Sequence, residues 1–153
     1  MSTYDNAYED IYRSILSYCN NFLERNSLEG FEVYEFDCHA VEQSLPDSDL
    51  IGLSDYSISN QTDQYIVTCM IIVCTKSDDA NLARLRPAIG RLFKELTPGD
   101  TGDRFSVIDQ QGIRRGYMTV MDDVMVGPIA RTQTRPLQAI AVSFGVGYTN
   151  LPV

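Results

Sequence analysis

The residues of this sequence that could do chemistry are few and scattered. The 153-residue chain contains one histidine, His39, which directly follows Cys38. A zinc site takes about four nitrogen or sulfur ligands, and the sequence offers no second histidine to help complete one. Asp47 and Asp49 could approach a divalent cation, but no calcium-binding loop of about 12 residues follows them. We therefore expect His39 to be an ordinary structural histidine rather than a general base.

Two pairs of adjacent aspartates are the next candidates for acid–base chemistry. Asp122 and Asp123 end an apolar run, and successive side chains of a regular strand point to opposite faces. Without a bulge, this pair cannot act together on one atom, so a strand end or solvated turn accounts for it. Asp78 and Asp79 precede a helical pattern, where they would cap the first turn of a helix.

Four arginines in the second half of the chain could contact another molecule: Arg114, Arg115, Arg131 and Arg135. Arg114 and Arg115 are adjacent and lie near a turn, where they could bind a phosphate group. A solvated sheet edge or a contact between subunits is the more frequent use of such a pair.

The charge of the chain is unevenly distributed. The formal net charge is −9, which argues against a surface that binds nucleic acid or anionic lipid. Residues 1–63 hold 13 acidic and 2 basic side chains, whereas residues 64–153 hold 8 acidic and 10 basic ones. Such an asymmetry would let one surface of a subunit meet an opposite surface of its neighbour, although chance and solubility explain it equally well.

The positions of the four cysteines indicate structural residues of a protein in a reducing compartment. Cys69 and Cys74 are five residues apart, so a strand directs them to opposite faces and away from a shared metal. We expect Cys19, Cys38 and this pair to be small apolar core residues. No apolar run reaches the ~20 residues of a membrane span, and the acidic start of the chain does not resemble a signal peptide.

Two helices must position these residues. The first has apolar residues at three- and four-residue spacing up to Leu23. Ser2 or Thr3 can cap it, and Asn26 and Gly30 are its candidate stop signals. The second follows Asp79, and Pro87 should kink it. Its predicted apolar face consists of Leu82, Leu85, Ile89, Leu92, Phe93 and Leu96.

The remaining patterns predict strands. Residues 31–38 carry acidic residues on both faces, which is typical of a sheet edge, and residues 50–59 include Gly52 as a candidate bulge. Residues 65–75 are apolar on both faces, so this strand should be central, with its second face covered by more sheet or by another subunit. A hairpin around Gly112 and a closing strand over residues 135–146 complete the pattern.

This order predicts an α+β fold with a mostly antiparallel sheet and two helices packed on one face. We predict one domain over residues 1–146 and an extended C-terminal tail over residues 147–153. Residues 124–134 should form a loop or a distorted arm before the closing strand.

The layout resembles the tail terminator proteins of long-tailed bacteriophages, also called tail-tube terminator or tail completion proteins. The similarity is one of element order along nearly the whole chain. It rests on the N-terminal amphipathic helix followed by FEVYEFD, and on the strand YIVTCMIIVCT leading into DDANLARLRPAIGRLFKEL. The ending RPLQAIAVSFGVGYT, a late strand after a long arm, completes the match.

This resemblance implies a structural virion protein at the tail–neck junction, assembled in the bacterial cytoplasm, with neither enzymatic activity nor a cofactor. Such proteins form a homohexameric ring on the last ring of the tail tube. They stop tube polymerisation and present a docking surface for the neck or connector protein. Other implied partners are the sheath protein of a contractile tail and the genomic DNA, in transit through the channel. No membrane is involved.

A ring requires heterologous contacts, in which two different patches of one subunit meet. We expect Arg131 and Arg135 to contact an adjacent subunit or tail ring, and Arg114 and Arg115 are further interface candidates. Two alternatives stay open. The chain could be another neck or head–tail joining ring protein, or a small-molecule-binding α+β domain with a pocket between the first helix and the sheet.

Overall fold

The computed structural model describes residues 3–36, 45–62, 64–97, 104–132 and 134–149. The helices in these ranges are α1 (Thr3–Arg25) and α2 (Leu85–Leu96). The strands are β1 (Phe31–Glu35), β2 (Asp49–Asn60), β3 (Tyr65–Cys74), β4 (Arg104–Ile108), β5 (Arg114–Val126), β6 (Ala130–Thr132) and β7 (Arg135–Tyr148).

The strands form one sheet in the order β1-β2-β3-β7-β5-β4, with β6 also paired to β7. The β1–β2 pair is parallel and the other pairs are antiparallel. This confirms the α+β class with a mostly antiparallel sheet. It also confirms β1 as an edge strand and β3 as a central one.

Both helices pack on the same face of the sheet. The side chains of α1, α2 and the inward-facing strand residues join one core that includes Phe22, Ile71, Leu92 and Phe144. Helix α1 contacts both β1 and β4, although these strands lie at opposite ends of the sheet order. The sheet therefore curls around α1 until its two edge strands border the same helix.

A hydrogen-bonded cluster on Glu95 links the two helices. Its carboxylate accepts hydrogen bonds from the Tyr18 hydroxyl at 2.8 Å and the Arg25 guanidinium at 2.6 Å, and from the Asn26 amide at 3.2 Å. The Asn26 amide also donates to the carbonyl of Phe22, which fits its predicted role as a stop signal for α1.

Helix α2 begins later than the sequence pattern predicts. A short 3-10 turn over Ala80–Leu82 precedes it, with Asn81 in left-handed backbone geometry (φ 56°). Pro87 consequently falls in the first turn of α2, where a missing N–H costs little, and the predicted kink is wrong. Phe93 is 41% exposed rather than buried, and Ala88 takes its place on the apolar face.

The predicted bulge in β2 lies at a different residue. The register shifts between Ser54 and Ser57, and Asp55 there has a φ of 54°. Gly52 instead permits a close approach of β1, because a Cβ at this position would lie 1.6 Å from the carbonyl oxygen of Tyr34.

The region predicted as a loop or distorted arm is largely strand. β5 continues to Val126, and β6 follows after a short break along the same side of β7. Across that break the Gly127 N–H donates to the Ala139 carbonyl, and the Gln138 amide donates to the Gly127 carbonyl. The closing strand β7 runs to Tyr148, so two residues assigned to the tail belong to the sheet.

Candidate functional site

We call the face of the sheet opposite the helices the open face, because neither of the two described helices packs on it. Over residues 65–73 of β3, a buried set that faces the helices alternates with a set on the open face that is half-buried or exposed. Cys74 and its β2 partner Leu50 continue the open-face set but are fully buried. Ile71 is fully buried, whereas the adjacent Met70 is 37% exposed. Within the described residues, the second face of β3 is therefore uncovered along the middle of the strand and buried at its Cys74 end.

The two central strands of the open face, β3 and β7, carry no charged side chain over residues 65–74 and 136–148. Residues 117–121 also contain no charged side chain, in a chain that is 22% charged. Solvated sheet faces usually carry polar and charged residues in alternation with the core. An uncharged surface on the central strands of a sheet is typical of a surface that meets another protein.

Small side chains on β7 form a trough between methionines on its two neighbours. Ala141 lies between Met70 of β3 and Met125 of β5, which is 70% exposed. Two rows further along β7, Gly145 has no Cβ, and a Cβ there would lie 2.7 Å from the sulfur of Met121. Methionine is flexible and polarisable, so such a trough adapts well to an apolar partner.

The four predicted interface arginines do not lie together. Arg131 is exposed on β6, where its guanidinium donates to the Thr134 carbonyl at 3.4 Å. Arg114 is exposed, and its guanidinium carbon lies 4.8 Å from the centre of the Tyr117 ring. Arg115 forms a 2.8 Å ion pair with Asp109 and is mostly buried.

The expectation for Arg135 needs correction, because its guanidinium is bound within the subunit. The residue is 8% exposed and donates to the carbonyls of Thr75, Pro46 and Ser48. It therefore anchors the start of β7 to two loops and is not available to a neighbour. These partners lie 60 to 89 residues away in sequence, so no local pattern could have predicted them.

Two of the acidic candidates, Asp79 and Asp49, have structural roles. Asp79 accepts hydrogen bonds from the backbone N–H groups of Arg84 and Leu85, at 2.8 and 3.0 Å, and thereby caps α2 as predicted. Burial opposes the charge on Asp79, but these N–H donors and the Thr75 hydroxyl outweigh it and lower its pKa. Asp49 forms a 2.7 Å ion pair with Arg84.

Two other candidates lie outside what the structure describes. Cys38 and His39 are outside the described residues, as are the side chains of Asp122 and Asp123. The backbone of the aspartate pair falls in a register shift between Met121 and Met125. Regular alternation therefore does not apply to this pair.

A buried carboxyl missed at the sequence level joins α1 to the end of β7. Asp10 is 5% exposed and accepts a hydrogen bond from the Tyr148 hydroxyl at 2.8 Å. Burial raises the pKa of Asp10, and the Tyr148 hydrogen bond opposes this rise. Its place on the apolar stripe of a helix was the available signal, since an acidic residue there needs a partner.

A cleft of about 760 Å³ lies along the outer side of α1. Its floor is a stripe of the helix that includes Arg13, Ser17, Asn20 and Asn21. The edge strands supply the remaining walls with Val33, Phe105, Ser106, Ile108 and Asp109. The predicted tyrosine and cysteine lining is represented by Tyr18 alone, because the space directly between α1 and the sheet is filled with core side chains.

The described residues contain no group of three or more histidine, cysteine or acidic side chains that could hold a metal ion. Cys19, Cys69 and Cys74 are buried, in agreement with their predicted core positions, and burial raises the pKa of Cys19 to about 12. Neither helix in the described ranges is long and apolar enough to cross a membrane.

Comparison with known protein families gives no match, and no curated protein matches the sequence.

Proposed function

We propose that this chain is a ring-forming structural subunit of a long-tailed bacteriophage, of the tail terminator type. In this role it caps the tail tube, stops its polymerisation and presents a docking surface for the neck. The observation that carries the proposal is the open face, a sheet surface whose two central strands carry no charge on a strongly acidic chain. Such a surface is best explained as one that another protein covers.

The size of the open face favours assembly over transient contact. Residues 66–72 of β3 extend for roughly 20 Å, and four strands span roughly 15–20 Å. One subunit thus offers about 300–400 Å² of sheet surface, about half of what each partner contributes to a stable interface of ordinary size. The charged surfaces elsewhere on the subunit would supply the rest, through contacts of acidic with basic regions.

Charge also favours the proposed passage of DNA. An acidic subunit attracts few phosphates, so a channel built from such subunits would let a genome pass without holding it. The only polyanion-binding candidates among the predicted arginines are exposed Arg114 and Arg131, because Arg115 and Arg135 are occupied within the subunit.

The direct test adds the purified protein to tail-tube subunits of the same virus while the subunits polymerise. Electron microscopy should show six-fold rings at tube ends and shorter tubes as the protein is increased. As a matched control, Met70→Glu should fold normally and leave the tube lengths unchanged. Unaltered tube lengths with the unmodified protein would contradict the terminator role.

The cleft beside α1 supports a second candidate function, the binding of a small molecule. Its volume of about 760 Å³ lies in the range typical of ligand sites, and it combines apolar walls with amide and hydroxyl groups. A monomer whose melting temperature rises in the presence of a metabolite mixture would favour this function. Replacing Asn20 and Asn21 with alanine should abolish that rise.

A further inference from the structure

The cleft beside α1 is bordered by the outer edge of a β-strand. The Asp109 N–H donates across the hairpin to Ile113, and the Ile108 N–H donates in the other direction, to the Ser14 hydroxyl on α1 at 3.0 Å. N–H groups alternate sides along a strand, so the N–H and C=O of Ser106 also point away from β5. Ser106 lines the cleft, which therefore presents backbone hydrogen-bonding groups to an occupant.

The other groups of the cleft also suit an extended peptide. The amides of Asn20 and Asn21 can donate to and accept from peptide groups, and Phe105, Ile108 and Val33 offer apolar contacts. The helix stripe from residue 13 to residue 21 is roughly 12 Å long, about the length of four residues of extended chain.

The same chain also exposes an extended apolar segment where β5 ends and β6 begins. We call it the β5–β6 segment, residues 125–131. Its inner edge pairs with β7, whereas no strand of the described residues pairs with its outer edge, because β4 reaches only to Thr119. Met125 is 70% exposed and Ile129 is 36% exposed, so two of its large apolar side chains contact solvent.

The charge of the segment is opposite to that of an exposed residue beside the cleft. The two charged residues of the cleft lining, Arg13 and Asp109, form ion pairs with Glu9 and Arg115. The segment has one charged residue, the exposed Arg131, in the sequence Met-Val-Gly-Pro-Ile-Ala-Arg. Glu24 is exposed on α1 and follows Asn20 by four residues, so it continues the helix stripe that forms the cleft floor. A segment with one basic residue thus matches a cleft of mixed polar and apolar lining that has an acidic residue beyond one end.

We propose that the β5–β6 segment of one copy binds in the cleft of a second copy as an added strand, with Ile129 against the apolar walls and Arg131 beside Glu24. This inference rests on the proposed function, since it supplies the heterologous contact from which a ring can close. The outer edge of the segment would pair with the Ser106 edge of β4, a mode of recognition that uses backbone hydrogen bonds.

Disulfide trapping tests the contact directly. In a Cys38→Ser background, the pair Ser106→Cys and Ile129→Cys should give intermolecular disulfides and a ladder of cross-linked oligomers. The matched control pairs Ile129→Cys with Ser57→Cys, which is equally exposed but lies on β2. A ladder from the control pair alone would contradict the proposal.

A charge exchange provides a second measurement that does not depend on cysteine chemistry. Glu24→Arg and Arg131→Glu should each weaken self-association by roughly tenfold, and the double variant should restore most of it. Glu29→Arg, an exposed change outside the stripe, should have little effect. If the losses of self-association in the two single variants add up in the double variant, Glu24 and Arg131 do not pair.

The outcomes separate this inference from the proposed function. Rings that form and cap tubes without the 106–129 disulfide would overturn the contact and leave the function standing. A chain that stays monomeric, both alone and with tube subunits, would overturn both.

Discussion

The two faces of the sheet are made by the same strands and differ in almost every physical respect. On the helix-covered face, Ile71, Val142 and Phe144 are nearly inaccessible and belong to one continuous core. On the open face, Met70 and its cross-strand partner Ala141 are exposed to solvent, yet both are uncharged, as core residues are. A single sheet thus has one surface completed by its own chain and one that a partner would complete.

This comparison separates stability from assembly. Side chains on the covered face hold the subunit together, because their removal leaves a cavity that the packed core cannot fill. Side chains on the open face contribute little to the isolated subunit, since water already surrounds part of them. Substitutions on adjacent residues of one strand should therefore have opposite consequences.

The largest expected effect comes from Ile71→Ala on the covered face. We expect a loss of about 2–5 kcal/mol in the free energy of unfolding, because Ile71 is fully buried. Its neighbour on the open face provides the control: Met70→Ala should cost below ~1 kcal/mol. Urea denaturation followed by circular dichroism would measure both, and similar losses would show that the open face is not distinct.

The next effect concerns the cap that holds α2 on the covered face. Asp79→Ala should cost about 2 kcal/mol, because it removes the acceptor for the Arg84 and Leu85 N–H groups. Asp78→Ala should lower the free energy of unfolding much less, because the Asp78 side chain is largely exposed.

The pH dependence of the Asp79 effect follows from its lowered pKa. A carboxyl with a lowered folded-state pKa stabilises the fold above its ordinary value of 3.8, and this contribution is lost as the pH falls through the folded-state pKa. The difference between Asp79→Ala and the unmodified protein should therefore shrink below about pH 4. A difference that stays constant down to pH 2 would contradict the role of the carboxylate.

A smaller effect is expected at the margin of the covered face, at Asp10. Asp10→Asn should preserve the Tyr148 hydrogen bond while removing a charge that burial disfavours. Because the folded-state pKa is raised, the ionised carboxyl destabilises the fold as the pH rises above 3.8. Relative to the unmodified protein, Asp10→Asn should therefore be more stable to unfolding at pH 7 than at pH 4, by up to ~1 kcal/mol. Thermal unfolding of both proteins at the two pH values would test this.

Local periodicity was sufficient to predict much of the fold. The three- and four-residue spacing of apolar residues predicted α1. Residues 65–75 are apolar on both faces of the strand, which predicted a central strand whose second face another layer or subunit would cover. The start of α2 could not be predicted as well. Asn81 interrupts the helical pattern through its backbone angles, and apolar spacing alone does not reveal such an interruption.

The candidate surfaces were predictable only in part. The uncharged composition of the open face is visible in the sequence, but the trough along β7 depends on a register that pairs Ala141 with Met70 and Met125. The cleft was not predictable, because it requires the sheet to curl until β1 and β4 both border α1. Arg135 shows the same difficulty, since its partners become near only in the folded chain.

The most direct test of the open face as an assembly surface is the molar mass of the protein and of Met70→Glu, measured by light scattering after gel filtration with tail-tube subunits present. The account predicts that the unmodified protein elutes as, or bound within, an oligomer. Met70→Glu should elute as a monomer with unchanged thermal stability. Equal masses for the two proteins would contradict the account.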